Sequence, residues 1–255
     1  MTKCNTKGCK SKRKCGTCRF YVIVIAIILI ACAVFYVADY YHADEASIET
    51  YTEDIVSDIT IENPEKDITV FKPQEPMAGF IFYPGGKVEA SAYEPLMTAC
   101  ADRGILCILV KMPGNLAVLD VKAADGLQEM YPDIDTWYIG GHSLGGSMAA
   151  SYAADRVDTL AGVVLLGAYS TADLSTGDLD VLSIYGSEDK VMNKMKYEEN
   201  LSNLPDNYVE IVIDGGCHAG FGMYGAQDGD GVPKITSENQ IEITSDEIVK
   251  WIKGE

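Results

Sequence analysis

Histidine is scarce in this sequence. The 255 residues contain only three: His42, His142 and His218. Any reaction that needs an imidazole as its base therefore has few candidates. Internal repeats and low-complexity segments are also missing, while 47% of the residues are hydrophobic and 23% are charged. These features predict one folded, mid-sized domain with an extension rather than a repeat array or a disordered chain.

Basic side chains are few beyond the first 38 residues. Of the 20 lysines and arginines, seven lie in residues 1–38, which contain no acid. The remaining residues therefore carry 13 basic side chains against all 38 acidic ones. An acidic body argues against a nucleic-acid partner and against strong adhesion to an anionic membrane surface.

Cysteine is present, but not in a disulfide pattern. The body contains three, Cys100, Cys107 and Cys217, and an odd, irregular set does not make a disulfide framework. A Cys100–Cys107 bridge stays open as an alternative. The basic segment contains four cysteines, of which only Cys15 and Cys18 have C-x-x-C spacing, and no histidine accompanies them. We favour reduced thiols there and expect no bound metal.

Residues 20–38 form a charge-free apolar run. As a helix rising ~1.5 Å per residue it would span roughly 28 Å, close to the ~30 Å hydrocarbon core of a bilayer. Positive charge lies only on its N-terminal side. The positive-inside rule therefore predicts a single-pass signal anchor, with residues 1–19 as a basic cytoplasmic tail and the body outside the cytoplasm. A cleaved signal peptide and a lipoprotein signal at Cys32 are the alternatives.

After a polar stretch at residues 39–54, predicted to be a tether, residues 55–255 show regular patterns. Two alternating segments around "NPEKD" predict an antiparallel hairpin. Apolar runs such as "AGFIFYPGG" and "ILCILVKM" then alternate with amphipathic stretches. This predicts an α/β fold, with a mostly parallel doubly wound sheet following the hairpin. We also expect a helix over residues 117–130 and a closing helix that starts at a capping box of Thr244 and Glu247.

The motif "GHSLG" at residues 141–145 follows the apolar strand "WYIG" and precedes a helix of small residues. In this strand–turn–helix context a G-x-S-x-G motif forms a nucleophile elbow, with Ser143 at the tip. The spacing differs from the G-x-G-x-x-G of dinucleotide sites. The motif therefore predicts a nucleophilic serine.

His218, just after the last predicted strand, is the candidate base for Ser143. His42 follows the apolar run and is expected far from the carboxyl edge of the sheet. His142 precedes Ser143 on a sharp turn, where neighbouring side chains diverge. Elimination therefore leaves His218.

The acid that orients the base should lie between nucleophile and base in the chain. The segment "YGSED" meets this condition, and within it we favour Asp189 over its neighbour Glu188. An oxyanion hole needs two backbone N–H groups. One should come from Leu144, directly after the nucleophile, and the other from Gly86, or from Lys87, in the turn "YPGGK".

These segments resemble the α/β-hydrolase superfamily, and more narrowly its small lidless bacterial branch, the α/β-hydrolase fold-5 family. The resemblance runs from about residue 68 to residue 251. It is carried by "FIFYPGGKVEASAYEPL", "MPGNLAVLD", "YIGGHSLGG", "YGSED" and "GGCHAGFGMYGAQDGDG". The resemblance implies Ser143 as nucleophile, His218 as base, Asp189 as acid, and Leu144 with Gly86 as oxyanion donors.

The predicted activity is that of a serine hydrolase that cleaves an ester or thioester through an acyl-enzyme. We expect it to need no metal ion or organic cofactor, and we interpret "DGDG" at residues 228–231 as a turn. The segment where larger relatives insert a lid is short, so the site should accept small or surface-presented esters; the residues that bind them are unassigned. We expect a monomer attached to the membrane by its apolar helix. A non-catalytic binding module and an acyltransferase are the alternatives.

Overall fold

The structure, a computed structural model, describes residues 12–54 and 58–255, except for the side chains of residues 12–18, 32, 33 and 54. It divides into two compact units, Met1–Asp39 and Tyr40–Glu255. The first contains helix α1 (Lys12–Ala38), whose stretch Arg19–Ala38 includes an 18-residue window with a mean hydropathy of 3.0. This helix is long and apolar enough to be a membrane anchor or a signal sequence. The side chains of the tail cysteines and of Cys32 lie outside the described residues.

The second unit contains one eight-stranded sheet in the order β1-β2-β4-β3-β5-β6-β7-β8. Its strands are β1 (Thr60–Glu65), β2 (Ile68–Lys72), β3 (Ala78–Tyr83), β4 (Ile105–Val110), β5 (Trp137–His142), β6 (Gly162–Leu166), β7 (Asp180–Gly186) and β8 (Val209–Ile213). Strands β1 and β2 form an antiparallel hairpin, and β2 pairs antiparallel with β4. All other neighbours are parallel. The predicted fold class is therefore confirmed.

Helices cover both faces of this sheet. They are α2 (Glu45–Asp54), α3 (Glu94–Asp102), α4 (Leu144–Ala154), α5 (Lys194–Glu199) and α6 (Ser237–Lys253). Along β3, Phe80 and Phe82 join the core layer that contains α3 and α6, whereas Ile81 and Tyr83 join the layer that contains α4. Alternate residues of a strand point to opposite faces, so the central strands are buried on both sides. The carboxyl ends of the parallel strands meet at one edge, where such sheets bind ligands.

The helix predicted over residues 117–130 was wrong. Residues 117–130 form short 3₁₀ turns at Ala117–Leu119 and Gln128–Met130, and other turns lie between them. Gly126 has a φ of 82°, a left-handed conformation that interrupts a right-handed helix. Val118 and Leu119 are exposed, so the apolar residues of this segment do not share one buried helical face.

The closing helix is longer than predicted, and the capping box at Thr244 was wrong. Helix α6 begins at Ser237, and the side chain of Thr236 accepts a hydrogen bond of 3.3 Å from the backbone N–H of Asn239. Thr244 is fully buried inside the helix, and its hydroxyl donates to the carbonyl of Gln240 at 2.6 Å. The buried face begins at Gln240, so packing extends the helix by two turns.

Residues 39–54, predicted to be a tether, contain α2 and contact the sheet domain. Tyr51 of α2 packs in the core, and its hydroxyl donates a hydrogen bond to Glu242 of α6. The placement predicted for His42 was wrong. Its Nδ1 lies 3.5 Å from the carboxylate of Glu89, in the loop after β3, because residues 41–44 lie along that loop.

Cys100, Cys107 and Cys217 are buried free thiols. The Cys100–Cys107 bridge that the sequence left open is therefore absent. Burial, together with the neighbouring thiol of Cys100, raises the pKa of Cys107 well above its usual value. Protonated, enclosed thiols of this kind behave as small hydrophobic side chains.

Candidate active site

Ser143 occupies a strained turn between β5 and α4. Its φ and ψ are 52° and −120°, a combination that non-glycine residues rarely adopt. The backbone N–H of Ser143 donates to the carbonyl of Leu166 at 2.9 Å, which ties the turn to the end of β6. The side chain stands at the N-terminus of α4, the positive end of the helix dipole. The turn therefore presents a half-buried hydroxyl at the carboxyl edge of the sheet.

The glycines of G-x-S-x-G let this turn approach β3. A Cβ atom on Gly141 would lie 2.4 Å from the carbonyl oxygen of Tyr83, and one on Gly145 would lie 2.2 Å from the same oxygen. Backbone atoms cannot yield to such contacts. The motif thus packs the elbow directly against the end of the neighbouring strand, where the next loop begins.

His218 and Asp189 form a buried pair on neighbouring loops. Nδ1 of His218 lies 2.8 Å from Oδ2 of Asp189, and the two side chains are 1% and 0% exposed. A carboxylate can only accept, so Nδ1 carries the proton and Nε2 has a free lone pair. In the part of the chain that the structure describes, Nε2 is buried and has no hydrogen-bond partner. This nitrogen is the basic atom of the pair.

Asp189 is held by its own loop. Its Oδ1 accepts hydrogen bonds from the backbone N–H groups of Val191 at 2.9 Å and Met192 at 2.8 Å, which leaves Oδ2 for His218. Gly167, after β6, allows the pair to lie close to the sheet. Its φ is 52°, and a Cβ atom there would lie 3.0 Å from Nδ1 of His218.

Glu188, the rival acid, does not contact His218. Its carboxylate forms an ion pair of 2.5 Å with Lys234, and the bond from Lys234 lowers the pKa of Glu188. Adjacent residues on this turn point in different directions. The structure therefore brings Asp189 to the histidine and directs Glu188 towards solvent and a lysine.

The proposed oxyanion donors lie side by side. We define the oxyanion loop as residues 84–89, which follow β3. A Cβ atom on Gly86 would lie 2.9 Å from Cδ2 of Leu144, so the loop touches the first residue of α4. The N–H of Lys87 already donates to the carbonyl of Asn115 at 2.7 Å. Of the two loop donors considered, only the N–H of Gly86 has no hydrogen-bond acceptor among the described residues. Leu144 lies in the first turn of α4, where N–H groups lack intrahelical acceptors.

The side chain of His142 is buried in the protein, between Tyr93 and His218. Its Nδ1 is hydrogen-bonded to the hydroxyl of Tyr93 at 2.8 Å, and that hydroxyl also accepts from the N–H of Gly85 at 3.1 Å. The His142 ring packs on the His218 ring, with centroids 4.4 Å apart. Burial, and secondarily the neighbouring His218, place the pKa of His142 well below its usual value. A neutral imidazole thus packs against His218 and, through Tyr93, links it to the oxyanion loop.

We define the base loop as residues 214–231, which contain His218. Gln240 and Asp230, which the sequence did not indicate, hold this loop in place. Gln240 of α6 is 1% exposed; its Oε1 accepts from the N–H of Cys217 at 2.9 Å and its Nε2 donates to the carbonyl of Cys217 at 2.8 Å. Burial raises the pKa of the Cys217 thiol to about 11, and Asp230 adds to the effect. The Gln240 side chain therefore fixes the backbone of Cys217, directly before His218.

Asp230, within the base loop, connects that loop to the loop of Asp189. The turn predicted for "DGDG" is present, and Asp230 also accepts from the backbone N–H groups of Ala219 at 2.9 Å and Lys190 at 3.3 Å. Burial alone would raise the pKa of Asp230, but these backbone donors outweigh it and lower the pKa. No local pattern signalled this role, because its partners lie 11 and 40 residues away.

The structure combines a strained serine elbow with a buried histidine–aspartate pair on later loops of a mostly parallel sheet. Comparison with known proteins agrees with this geometry. No curated protein matches the chain. Residues 79–242, which include the elbow and both loops, match the model of the alpha/beta hydrolase family. The chain therefore belongs to the alpha/beta hydrolase family.

Proposed function

We propose that this member of the hydrolase family is a membrane-anchored serine hydrolase that cleaves an ester or thioester. The observation that carries the proposal is the buried His218–Asp189 pair, whose Nε2 is unpartnered among the described residues and whose loop follows the Ser143 elbow at the same edge of the sheet. In this arrangement the serine, the acid and the base lie on three different loops, which follow β5, β7 and β8. A binding module would have no need of a strained serine or a buried, hydrogen-bonded histidine–aspartate pair.

In the proposed mechanism Oγ of Ser143 attacks the substrate carbonyl while Nε2 of His218 takes the hydroxyl proton. Asp189 keeps Nδ1 protonated and stabilises the imidazolium that forms. The N–H groups of Gly86 and Leu144 donate to the oxyanion of the tetrahedral intermediate. His218 then protonates the leaving alkoxide or thiolate, and the acyl group stays on Ser143.

Water completes the turnover. Nε2 of His218 takes a proton from a water molecule as its oxygen attacks the acyl-enzyme carbonyl. The second tetrahedral intermediate collapses, Ser143 recovers its proton from His218, and the free acid leaves. The protein's own side chains supply every proton transfer in this scheme.

The proposed location is the outer face of a membrane. Helix α1 supports it by length and composition, and the seven basic side chains that precede the apolar run of residues 20–38 favour a cytoplasmic N-terminus. The substrate would then be a small ester or one presented at the cell surface. External protease applied to intact cells should remove the body; full protection of the body would overturn the orientation.

A fluorophosphonate probe tests the activity. The full chain in detergent should be labelled, Ser143→Ala should not be labelled, and His218→Ala should label more slowly by a factor on the order of 10³ or more. Ser151→Ala, which removes a serine hydroxyl bonded to the carbonyl of Ser147 within α4, is the matched control and should label normally. Absence of labelling in the wild type, or equal labelling of Ser143→Ala, would overturn the proposal.

Product analysis separates hydrolysis from acyl transfer. With an aryl acetate as substrate, the proposal expects acetate to be released in a one-to-one ratio with the phenol. Retention of the acetyl group on an added alcohol or amine, with little free acetate, would instead establish an acyltransferase.

A further inference from the structure

Residues 41–44, named here the strap, lie along the oxyanion loop. The N–H of Tyr41 donates to the carbonyl of Lys87 at 2.7 Å, and the N–H of Glu89 donates to the carbonyl of Tyr41 at 2.9 Å. A third bond, of 3.1 Å, runs from the N–H of Ala43 to the Glu89 carboxylate. The strap thus adds a short parallel pairing, between Tyr41 and Val88, to this loop.

The same strap also contacts the base loop. The N–H of Asp44 donates to the carbonyl of Met223 at 2.8 Å. The hydroxyl of Tyr41 accepts from the N–H of Asp228 at 3.1 Å, and its ring lies 5.7 Å from the ring of Tyr224. One four-residue segment therefore joins the loop of a proposed oxyanion donor to the loop of the proposed base.

The strap meets the oxyanion loop at a strained position. Lys87 has a φ of 61°, and it directly follows Gly86. Its N–H is held by the carbonyl of Asn115 and its carbonyl by the N–H of Tyr41, both at 2.7 Å. A non-glycine residue keeps a left-handed backbone only where the surroundings fix it on both sides. Loss of the Tyr41 bond would remove one of these two restraints on the backbone next to Gly86.

The strap is itself anchored. It leads into α2, whose Tyr51 packs in the core and bonds to Glu242 of α6. Asp44 accepts from the hydroxyl of Ser47 in the first turn of α2 at 2.8 Å, which fixes the junction. Both loops are therefore tied to a helix with its own place in the core.

We propose that Tyr41 is a positioning residue of the active site, and that the strap holds the oxyanion loop and the base loop at their working separation. The inference rests on the proposed hydrolase function for its effect on turnover. Its structural content, the restraint of two loops by one segment, is independent of that function. The segment predicted to be a tether thus contains residues that position the active site.

The test compares full-chain Tyr41→Pro, which removes the backbone donor, and Tyr41→Ala, which removes the ring and hydroxyl, with Tyr40→Phe as the control. For an aryl ester we expect kcat to fall about tenfold in Tyr41→Pro and about threefold in Tyr41→Ala, with KM within about twofold, because a misplaced oxyanion donor acts on the transition state. Tyr40→Phe should match the wild type.

Hydrogen–deuterium exchange provides a readout that does not depend on activity. In Tyr41→Pro, exchange at residues 84–89 should rise about tenfold, because a backbone bond to that loop is lost. In Tyr41→Ala, exchange at residues 222–228 should rise about tenfold, because the side-chain contacts to that loop are lost, while exchange in β5 stays unchanged in both variants. Unchanged exchange in these two segments, or faster exchange throughout the sheet, would overturn the strap proposal. If the wild type failed to hydrolyse esters or to take up the serine probe, the proposed function would fail, and the exchange result would still decide the strap.

Discussion

Tyr93 and His142 are joined by a hydrogen bond of 2.8 Å inside the protein, and neither side chain is more than 1% exposed. The same tyrosine hydroxyl accepts from the N–H of Gly85, one residue before the proposed oxyanion donor. A Cβ atom on Gly85 would lie 2.6 Å from the hydroxyl and 2.7 Å from Nδ1 of His142. The loop, the tyrosine and the histidine therefore interlock without space for a side chain.

Replacement of this tyrosine tests the interlock. Tyr93→Phe leaves the N–H of Gly85 and Nδ1 of His142 without their partner, so we expect the free energy of unfolding to fall by ~1–3 kcal/mol. We expect kcat to fall about tenfold with little change in KM, because the loop loses its fixed position. Urea unfolding and steady-state kinetics measure the two effects. Tyr131→Phe, in which a partly exposed tyrosine is changed, is the control; equal effects in both variants would contradict the prediction.

The two neighbouring acids should behave very differently. Asp189→Asn places an amide beside Nδ1 of His218 and removes the carboxylate that fixes its tautomer, so kcat should fall by a factor on the order of 10³–10⁴. Glu188→Gln breaks only a partly exposed ion pair with Lys234 and should leave kcat within about twofold. Both variants should be compared on one aryl ester. A large loss of kcat confined to Glu188→Gln would show that Glu188, and not Asp189, is the acid.

Stability should depend on pH through His142. Its folded-state pKa is well below the usual value because burial disfavours the charged ring. The unfolded chain takes up a proton near pH 6.5 and the folded protein does not. The contribution of this histidine is therefore complete above about pH 6.5 and decreases as the pH falls below it, by at most ~1.4 kcal/mol per unit.

His142→Asn removes this titration. The free energy of unfolding of the wild type should fall more steeply between pH 7 and pH 5 than that of the variant, whatever the variant's stability at pH 7. Tyr131→Phe, which changes a side chain that stays protonated throughout this range because its pKa is raised by burial, should keep the wild-type slope. Parallel wild-type and His142→Asn curves, measured by urea unfolding across this range, would contradict the assignment.

The elbow should not tolerate a methyl group at its second glycine. In Gly145→Ala the new Cβ would lie 2.2 Å from the carbonyl oxygen of Tyr83. We expect a loss of ~3 kcal/mol or more in the free energy of unfolding, together with loss of probe labelling. Gly177→Ala is the milder control, since its Cβ would meet only side-chain atoms of Val157, the nearest at 3.2 Å. Normal labelling of Gly145→Ala would show that the elbow can relax.

The sequence predicted the elements whose signals are local. Buried parallel strands appear as continuous apolar runs, and the elbow needs its glycines at fixed positions around Ser143. The helix predicted around Gly126 failed because one left-handed glycine outweighed the surrounding helix formers. Local patterns therefore placed the strands and the serine, but not every helix.

The supports of the candidate site could not be predicted in the same way. Tyr93, Asp230 and Gln240 each have a hydrogen-bond partner that is far away in the chain, 49, 40 and 23 residues from them respectively. No local motif in the sequence marks these three residues. Adjacent acids such as Glu188 and Asp189 look equivalent until a turn directs one inward. Contacts of this kind depend on packing between elements, which no spacing rule encodes.

Gln240 has a consequence for the order in which the protein is made. The base loop is clamped by a helix that is synthesised after it, and Gly220 of that loop leaves no room for a Cβ atom beside the Gln240 amide. A nascent chain that has already formed its central strands and its serine elbow would still lack this clamp. Premature termination before Gln240 would leave the histidine loop without its amide partner, so a competent site can arise only late in translation.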